Sequence, residues 1–176
     1  VLDRVGYGIP KMFMVQGGIM KRLVSACAVM AVATVAFSEG VTPDDVKFSE
    51  YGEVEISLSG APGDAAAGLE IMVSRGKGNC IACHQVTALE EYPFHGEVGP
   101  TLDGVGEYRS AEELRGIVAN AKMTYEGTIM PAFYRTSGFT RPGNAFTGKA
   151  AEGELAPLLT AQEIEDVVAY LLTLKD

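Results

Sequence analysis

The 176-residue sequence lacks tryptophan and has only three cysteines, two histidines and 14 basic residues. Three cysteines are too few for the disulfide framework of a small secreted scaffold. The basic residues are outnumbered by 23 acidic ones, giving a net charge of −9, which argues against nucleic acids and anionic lipid surfaces as partners. The 47% of apolar residues is typical of a globular protein, and the length fits one domain. We expect a small, glycine-rich and loop-rich fold.

A long hydrophobic run is also missing. The uncharged stretch from Leu23 to Ser38 is 16 residues long, short of the roughly 18–20 residues that span a bilayer as a helix. It follows the basic residues Lys21 and Arg22 and ends in small residues, which predicts a secretory signal peptide. We expect cleavage after Ser38; cleavage after Ala36 and an uncleaved membrane anchor are the alternatives.

The signal peptide divides the chain into three predicted parts. Residues 1–38 comprise an upstream extension and the signal peptide, residues 39–63 an N-terminal arm, and residues 64–176 the folded domain. Export predicts a periplasmic protein, with no membrane association after cleavage. The mature chain would carry 10 basic and 22 acidic residues, a net charge of −12.

Three helices are predicted within the folded domain. Asp64 is a good N-cap for a helix through about Arg75, and capping-box patterns at 110–113 and 160–163 begin two more. Apolar stripes at helical spacing follow both capping boxes: Leu114, Ile117, Val118 and Ala121, and then Ile164, Val167, Val168, Leu171 and Leu172.

The remaining segments show little helical periodicity. Val54, Ile56 and Leu58 alternate with polar residues, which predicts a short strand in an arm that could pack on a partner. Residues 85–109 and 122–159 are predicted to be mostly irregular. Loops of that length in a compact domain indicate that something else holds them, such as a large buried cofactor.

The motif Cys80-Ile81-Ala82-Cys83-His84 is C-x-x-C-H, the attachment signature of c-type haem. Two thiols three positions apart on one turn can each form a thioether with a haem vinyl group, and the next residue can present its imidazole to the iron. A thioredoxin-like dithiol is disfavoured because no strand–helix–strand pattern surrounds the motif. A zinc site is disfavoured because only His95 remains as a further Cys or His ligand, while a Cys80–Cys83 disulfide stays conceivable.

A six-coordinate electron-transfer haem needs a second axial ligand, for which methionine or histidine is suited. Met130 is favoured because Pro131 stiffens the loop that carries it. His95 and Met123 remain alternatives. Met72 lies on the helix before the motif and is predicted to fill the core.

At this point the sequence resembles class I c-type cytochromes over residues 64–175. Residues 80–84 match the attachment motif, 99–102 the proximal loop, 130–131 the distal methionine loop and 167–171 the C-terminal helix. The resemblance implies an all-α class I cytochrome c fold, in which three or four helices and long loops wrap around one covalently bound haem c. It also implies that the N-terminal and C-terminal helices cross closely.

Site residues follow from this resemblance. Cys80 and Cys83 would hold the haem through thioethers, and His84 and Met130 would be the axial ligands. The carbonyl of Pro100 would accept the imidazole N–H and so fix the ring and raise its basicity; an ordinary turn proline is the alternative.

A narrower resemblance is to SoxX-type cytochromes, the monohaem subunits of the SoxAX complexes of thiosulfate-oxidising bacteria. It is carried by residues 128–135, the insert at 138–155 and residues 159–171. It implies a heterodimer with a SoxA-type cytochrome c subunit, where thiosulfate is joined to a cysteine of a SoxYZ-type carrier protein. This chain would be a non-catalytic subunit of that enzyme complex and would relay electrons to an acceptor cytochrome c. A free-standing periplasmic electron carrier, and a haem enzyme such as a peroxidase, are the alternatives.

Overall fold

Four α-helices are present in the residues that the computed structural model describes, 40–144 and 147–175. The predicted signal peptide lies outside these residues. The helices are α1 (Ala65–Val73), α2 (Val105–Tyr108), α3 (Ala111–Asn120) and α4 (Ala161–Leu171), and short 3-10 helices lie at Pro43–Asp45, Cys80–Ala82, Thr87–Leu89 and Ala121–Met123. Within the described part of the chain, no helix is long and apolar enough to cross a membrane.

Helix α1 begins where the sequence predicts. The Asp64 carboxylate accepts hydrogen bonds from the backbone N–H groups of Ala66 and Ala67, at 2.8 and 3.4 Å. The helix ends at Val73, two residues before the predicted Arg75. It therefore stops before the glycine-containing turn that leads into the C-x-x-C-H motif.

Helices α3 and α4 both begin with the predicted capping box. In each box the hydroxyl of Ser110 or Thr160 accepts from a backbone N–H, and the carboxylate of Glu113 or Glu163 accepts from the capping residue's own N–H. The apolar stripes are buried as expected, except that Ile117 and Leu172 are only half-buried. These local hydrogen bonds fix both helix starts without help from the rest of the fold.

The first and last helices cross at a glycine. Helix α1 packs against α4, and a Cβ added at Gly68 would fall inside the van der Waals radius of the Asp166 carbonyl oxygen and 2.9 Å from Tyr170 Cβ. Only glycine lets the two backbones approach this closely. The crossing implied by the family resemblance is thus present.

The N-terminal arm packs on its own chain. Val54 and Leu58 are fully buried, whereas Ile56 is 58% exposed, so the predicted alternation of buried and exposed side chains is present. The predicted strand is wrong, because the arm's backbone bonds are not those of a ladder: Val54 N–H donates to the Glu112 carbonyl and Leu58 N–H to the Glu165 carboxylate, at 3.0 and 2.7 Å. No strand forms in residues 40–144 or 147–175.

A buried ion pair joins the arm to two helices. Arg115 Nε of α3 donates to both carboxylate oxygens of Glu165 of α4, at 2.9 and 3.1 Å. Arg115 Nη1 also donates to the Val54 carbonyl at 2.7 Å. Both charged side chains are less than 10% exposed. This pair was not predicted from the sequence, because its members lie 50 residues apart.

Candidate functional site

The C-x-x-C-H motif folds into one tight turn after α1. Asn79 adopts a left-handed backbone conformation with φ +48° and turns the chain out of the segment that follows α1. The N–H groups of Cys83 and His84 both donate to the Cys80 carbonyl, at 3.1 and 3.0 Å. The turn therefore places both cysteines and His84 on a single compact unit.

The two cysteines of the motif are free thiols with different surroundings. Cys80 is half-buried and Cys83 is exposed. Burial raises the pKa of the Cys80 thiol from 9.0 to about 12, and the neighbouring Cys83 adds a smaller increase. A catalytic or redox dithiol needs a lowered thiol pKa, so the raised pKa of Cys80 does not fit the thioredoxin-like alternative. No Cys80–Cys83 disulfide is formed.

The imidazole of His84 is oriented by a backbone carbonyl. His84 Nδ1 lies 2.7 Å from the carbonyl oxygen of Pro100. Because a carbonyl oxygen can only accept, Nδ1 carries the proton in the neutral ring and Nε2 keeps its lone pair. This is the contact that the predicted role of Pro100 requires, and it presents Nε2 as a metal ligand.

The absence of a side chain at Gly99 leaves room for the imidazole of His84. A Cβ at this position would lie 2.6 Å from His84 Nδ1 and 2.8 Å from Nε2, so any side chain would displace the ring. The Gly99 N–H donates to the Cys83 carbonyl at 2.7 Å and ties this loop to the motif. Gly99 lies in the predicted proximal loop, but this role was not predicted from the sequence.

The rest of the proximal loop is anchored on both sides of Pro100. Leu102 N–H donates to the Gln85 carbonyl at 3.0 Å. The Asp103 carboxylate accepts from the Thr87 hydroxyl and N–H, at 2.7 and 2.8 Å. These hydrogen bonds from Thr87 hold the pKa of Asp103 below its ordinary value. The carbonyl that orients His84 is therefore part of a fixed loop.

Met130 lies on a segment with its own backbone contacts. Its side chain is half-buried and packs against the core. Its N–H donates to the Thr128 hydroxyl at 3.2 Å, and its carbonyl accepts from Lys122 Nζ at 2.6 Å. Two polar side chains thus hold the Met130 backbone.

The alternative axial ligands are less suited to that role. His95 Nδ1 accepts from the Val86 N–H at 3.3 Å, and Nε2 lies 2.9 Å from the Leu89 carbonyl. Both ring nitrogens therefore already hold the chain's own loop. Met123 is 47% exposed, and Met72 is fully buried in the core, as predicted.

These residues fit a covalently attached haem better than a protein-only metal site. The turn offers two free thiols and an imidazole whose Nε2 is available, and a half-buried thioether lies on a separate held segment. In the described part of the chain, no group of three or more His, Cys, Asp or Glu side chains could hold a metal ion. The donor set therefore agrees with haem c.

The family model for cytochrome c matches residues 65–175. In a crystal structure of SoxXA from P. pantotrophus, one chain is 54% identical to this one, with a TM-score of 0.74; the match covers 78% of this chain and all of that chain. The c-type cytochrome SorU from Sinorhizobium meliloti is 28% identical, with a TM-score of 0.38, over 63% of this chain and 90% of that one. No curated protein sequence matches the chain.

The family match begins at Ala65 and covers all four α-helices, while the N-terminal arm precedes it. The SoxXA match covers the full length of the SoxXA chain. The helical architecture, the C-x-x-C-H turn, the family model and the SoxXA match agree. The chain belongs to the cytochrome c family and is a SoxX-like class I cytochrome with one covalently bound haem c.

Proposed function

We propose that this cytochrome is the electron-transfer subunit of a periplasmic, thiosulfate-oxidising heterodimer. It would accept electrons from a SoxA-type subunit, where thiosulfate is joined to a cysteine of a SoxYZ-type carrier protein, and pass them to an acceptor cytochrome c. The observation that carries the proposal is the 54% identity to a chain of SoxXA over that chain's whole length.

Cys80 and Cys83 are the proposed attachment residues. In each case the thiol would add across a haem vinyl group, forming a C–S bond while its hydrogen passes to the other vinyl carbon, with nothing oxidised or released. Cys83 is exposed and Cys80 half-buried on one turn, an arrangement that supports attachment at two points of that turn. Both thiols would then be consumed.

His84 and Met130 are the proposed axial ligands, with Pro100 and Gly99 holding the His84 ring. The bound haem c would supply a one-electron Fe(III)/Fe(II) couple. An imidazole whose Nδ1–H is bonded to a carbonyl is a stronger and better oriented ligand. A methionine on the other side raises the reduction potential, which favours acceptance of electrons.

This residue set supports electron transfer and places bond-making on another subunit. Cys80 and Cys83 are the cysteines of the predicted mature chain, so after attachment no thiol remains to carry a sulfur group. With both axial positions taken by His84 and Met130, substrate would have no position on the iron. The chain would need a partner that performs the sulfur chemistry.

Purification of the tagged protein from its native periplasm tests the heterodimer. We expect a second, larger haem protein to co-purify in a one-to-one ratio, seen on a haem-stained gel and by mass spectrometry. The mass of this chain also reports cleavage after Ser38 and the addition of one haem. A lone haem-stained band of mature size, at gentle salt, would instead support a free-standing electron carrier.

Reduction by thiosulfate tests whether this chain only transfers electrons while another subunit performs the sulfur chemistry. With the carrier protein present, we expect thiosulfate to reduce this haem only when the SoxA-type subunit is added. Equal reduction of the isolated subunit would contradict the proposal and support a haem enzyme. Rapid binding of cyanide or carbon monoxide without loss of the fold would point the same way, because it requires a displaceable sixth ligand.

A further inference from the structure

The segment that carries Met130 is held at both ends by the N-terminal arm. We define the methionine segment as residues 124–137 and the arm as residues 40–63. Neither the arm's packing nor this contact was predicted from the sequence. The two ends contact different parts of the arm, one at Gly52 and the other at Val41.

Gly52 of the arm touches the first end. Its backbone has φ +86°, a conformation that favours glycine, and a Cβ there would lie 2.9 Å from both the Met123 carbonyl carbon and the Thr124 nitrogen. The arm's backbone therefore lies directly against the start of the methionine segment. Lys122, which donates to the Met130 carbonyl, is next to this contact.

Tyr134 makes the main contact at the other end. The residue is 7% exposed, and its hydroxyl donates to the Val41 carbonyl of the arm at 2.6 Å. Burial raises the pKa of Tyr134, so the hydroxyl keeps its proton and remains a donor. Nearby, the Ser137 hydroxyl donates to the Asp44 carboxylate at 2.6 Å.

The arm is a fixed support for these contacts. Val41 N–H donates to the Leu58 carbonyl at 2.7 Å, and Leu58 is itself fully buried. Leu58 N–H is bonded to the buried Glu165 carboxylate, and Arg115 bonds the Val54 carbonyl. A hydrogen bond from Tyr134 to Val41 therefore connects the methionine segment to the core of the domain.

We propose that Tyr134 is a positioning residue through which the N-terminal arm fixes the Met130 segment and limits its opening. The inference rests on the proposed assignment of Met130 as an axial ligand. Opening of the segment is the event that would let Met130 leave its position and let an external ligand enter. Loss of the Tyr134–Val41 bond removes one buried restraint on that opening.

The test uses the haem-loaded protein and the Tyr134→Phe variant, which keeps the ring and deletes one hydroxyl. Loss of one net hydrogen bond predicts about fivefold faster binding of imidazole to the ferric protein. Backbone amides of residues 124–137 should exchange with solvent faster by a similar factor. Gly52→Ala, which disturbs the other end, should act in the same direction.

Tyr51→Phe is the matched control, because Tyr51 lies in the same arm and is 73% exposed. It should change neither rate. A Tyr134→Phe variant that loses thermal stability while imidazole binding and exchange of the segment stay unchanged would overturn the proposal and leave Tyr134 a purely structural residue.

A double variant separates this proposal from the ligand assignment. If Tyr134 acts through Met130, Tyr134→Phe should not accelerate imidazole binding further in a Met130→Ala background. An equal acceleration in both backgrounds would contradict the positioning role. If the wild-type ferric protein lacks the weak red absorption band of a methionine–iron bond, the ligand assignment fails, whatever the exchange rates show.

Discussion

At the scale of single residues, the proposed axial ligands are oriented through their backbone neighbours. The His84 ring is oriented by the Pro100 carbonyl, and the absence of a side chain at Gly99 leaves room for it. Met130 is set by Thr128 and Lys122, which bond its N–H and carbonyl. In both cases polar atoms nearby fix the chain that carries the proposed ligating atom.

Replacement of Met130 by alanine tests the distal assignment. Met130→Ala should remove the methionine–iron absorption band and give a high-spin or water-ligated ferric spectrum. His95 is not expected to take the position, because both of its ring nitrogens hold the 86–89 backbone. Loss of the soft ligand should also lower the reduction potential, measured by spectroelectrochemical titration.

Met123→Ala is the control for this experiment. Met123 lies only seven positions earlier and is 47% exposed, so its replacement should leave both spectrum and potential unchanged. A methionine-ligated spectrum that survives in Met130→Ala and vanishes in Met123→Ala would reverse the assignment.

The residues that a sequence could identify are those with a local signature. Cys80, Cys83 and His84 were predicted from their spacing alone, and Met130 from its neighbouring proline. Gly99 and Tyr134 could not be recognised in this way. A glycine that clears an imidazole 15 positions away, and a hydroxyl that bonds a carbonyl 93 positions away, become visible only in three dimensions.

At the scale of elements, the crossing of α1 and α4 depends on the absence of a side chain at Gly68. The carbonyl of Asp166 occupies the place of its Cβ. This crossing also positions the start of the C-x-x-C-H turn, because the Asn79 N–H, just before the motif, donates to the Ile71 carbonyl of α1. A change in the crossing should therefore displace the proposed haem-binding residues.

Gly68→Ala should destabilise the holoprotein by about 1–3 kcal/mol or more, the cost of forcing extra volume into a packed contact. Alanine would otherwise favour a helix by about 1 kcal/mol over glycine, so the sign of the change is decided by the crossing. The measurement is a denaturant titration followed by helical circular dichroism. We also expect lower haem incorporation during maturation.

Gly76→Ala is the matched control. No atom lies within 4 Å of a Cβ built at Gly76, and its φ is not among the positive values. Such a change is expected to be neutral, or stabilising by about 0.4–1 kcal/mol. An equal loss of stability in both variants would show that replacing a glycine is itself destabilising, and that the helix crossing is not the cause.

Helix starts could be predicted because capping is local. The boxes at Ser110–Glu113 and Thr160–Glu163 need only four consecutive residues. The strand predicted around Ile56 was wrong for the opposite reason. Alternating burial was present, but the arm's N–H groups found Glu112 and Glu165 as acceptors, and both lie far away in the sequence. Helix α2 was missed because it has only four residues.

At the scale of the whole molecule, the ion pair of Arg115 and Glu165 joins three distant parts of the chain. It connects α3 to α4, and through bonds to Val54 and Leu58 it connects both to the arm. A buried ion pair need not be more stable than an apolar contact, but removing one partner leaves a buried charge unpaired. Integrity of the arm should therefore depend on both members being present.

Glu165→Ala should cost about 3–5 kcal/mol of stability, because the Arg115 charge is left buried without its counterion. The Leu58 N–H loses its acceptor in the same variant, so exchange of arm amides should accelerate along with the loss of global stability. Glu70→Ala is the control: Glu70 is an exposed residue of α1, and its replacement should change stability by no more than about 0.5 kcal/mol.

The double variant Arg115→Ala with Glu165→Ala decides whether the charges act as a unit. Because each single change leaves the other charge buried, the double variant should cost clearly less than the sum of the two, with a coupling of about 0.5–3 kcal/mol. Strictly additive costs would show that the two side chains stabilise the fold independently. In that case the arm would be held by the burial of Val54 and Leu58 rather than by the ion pair.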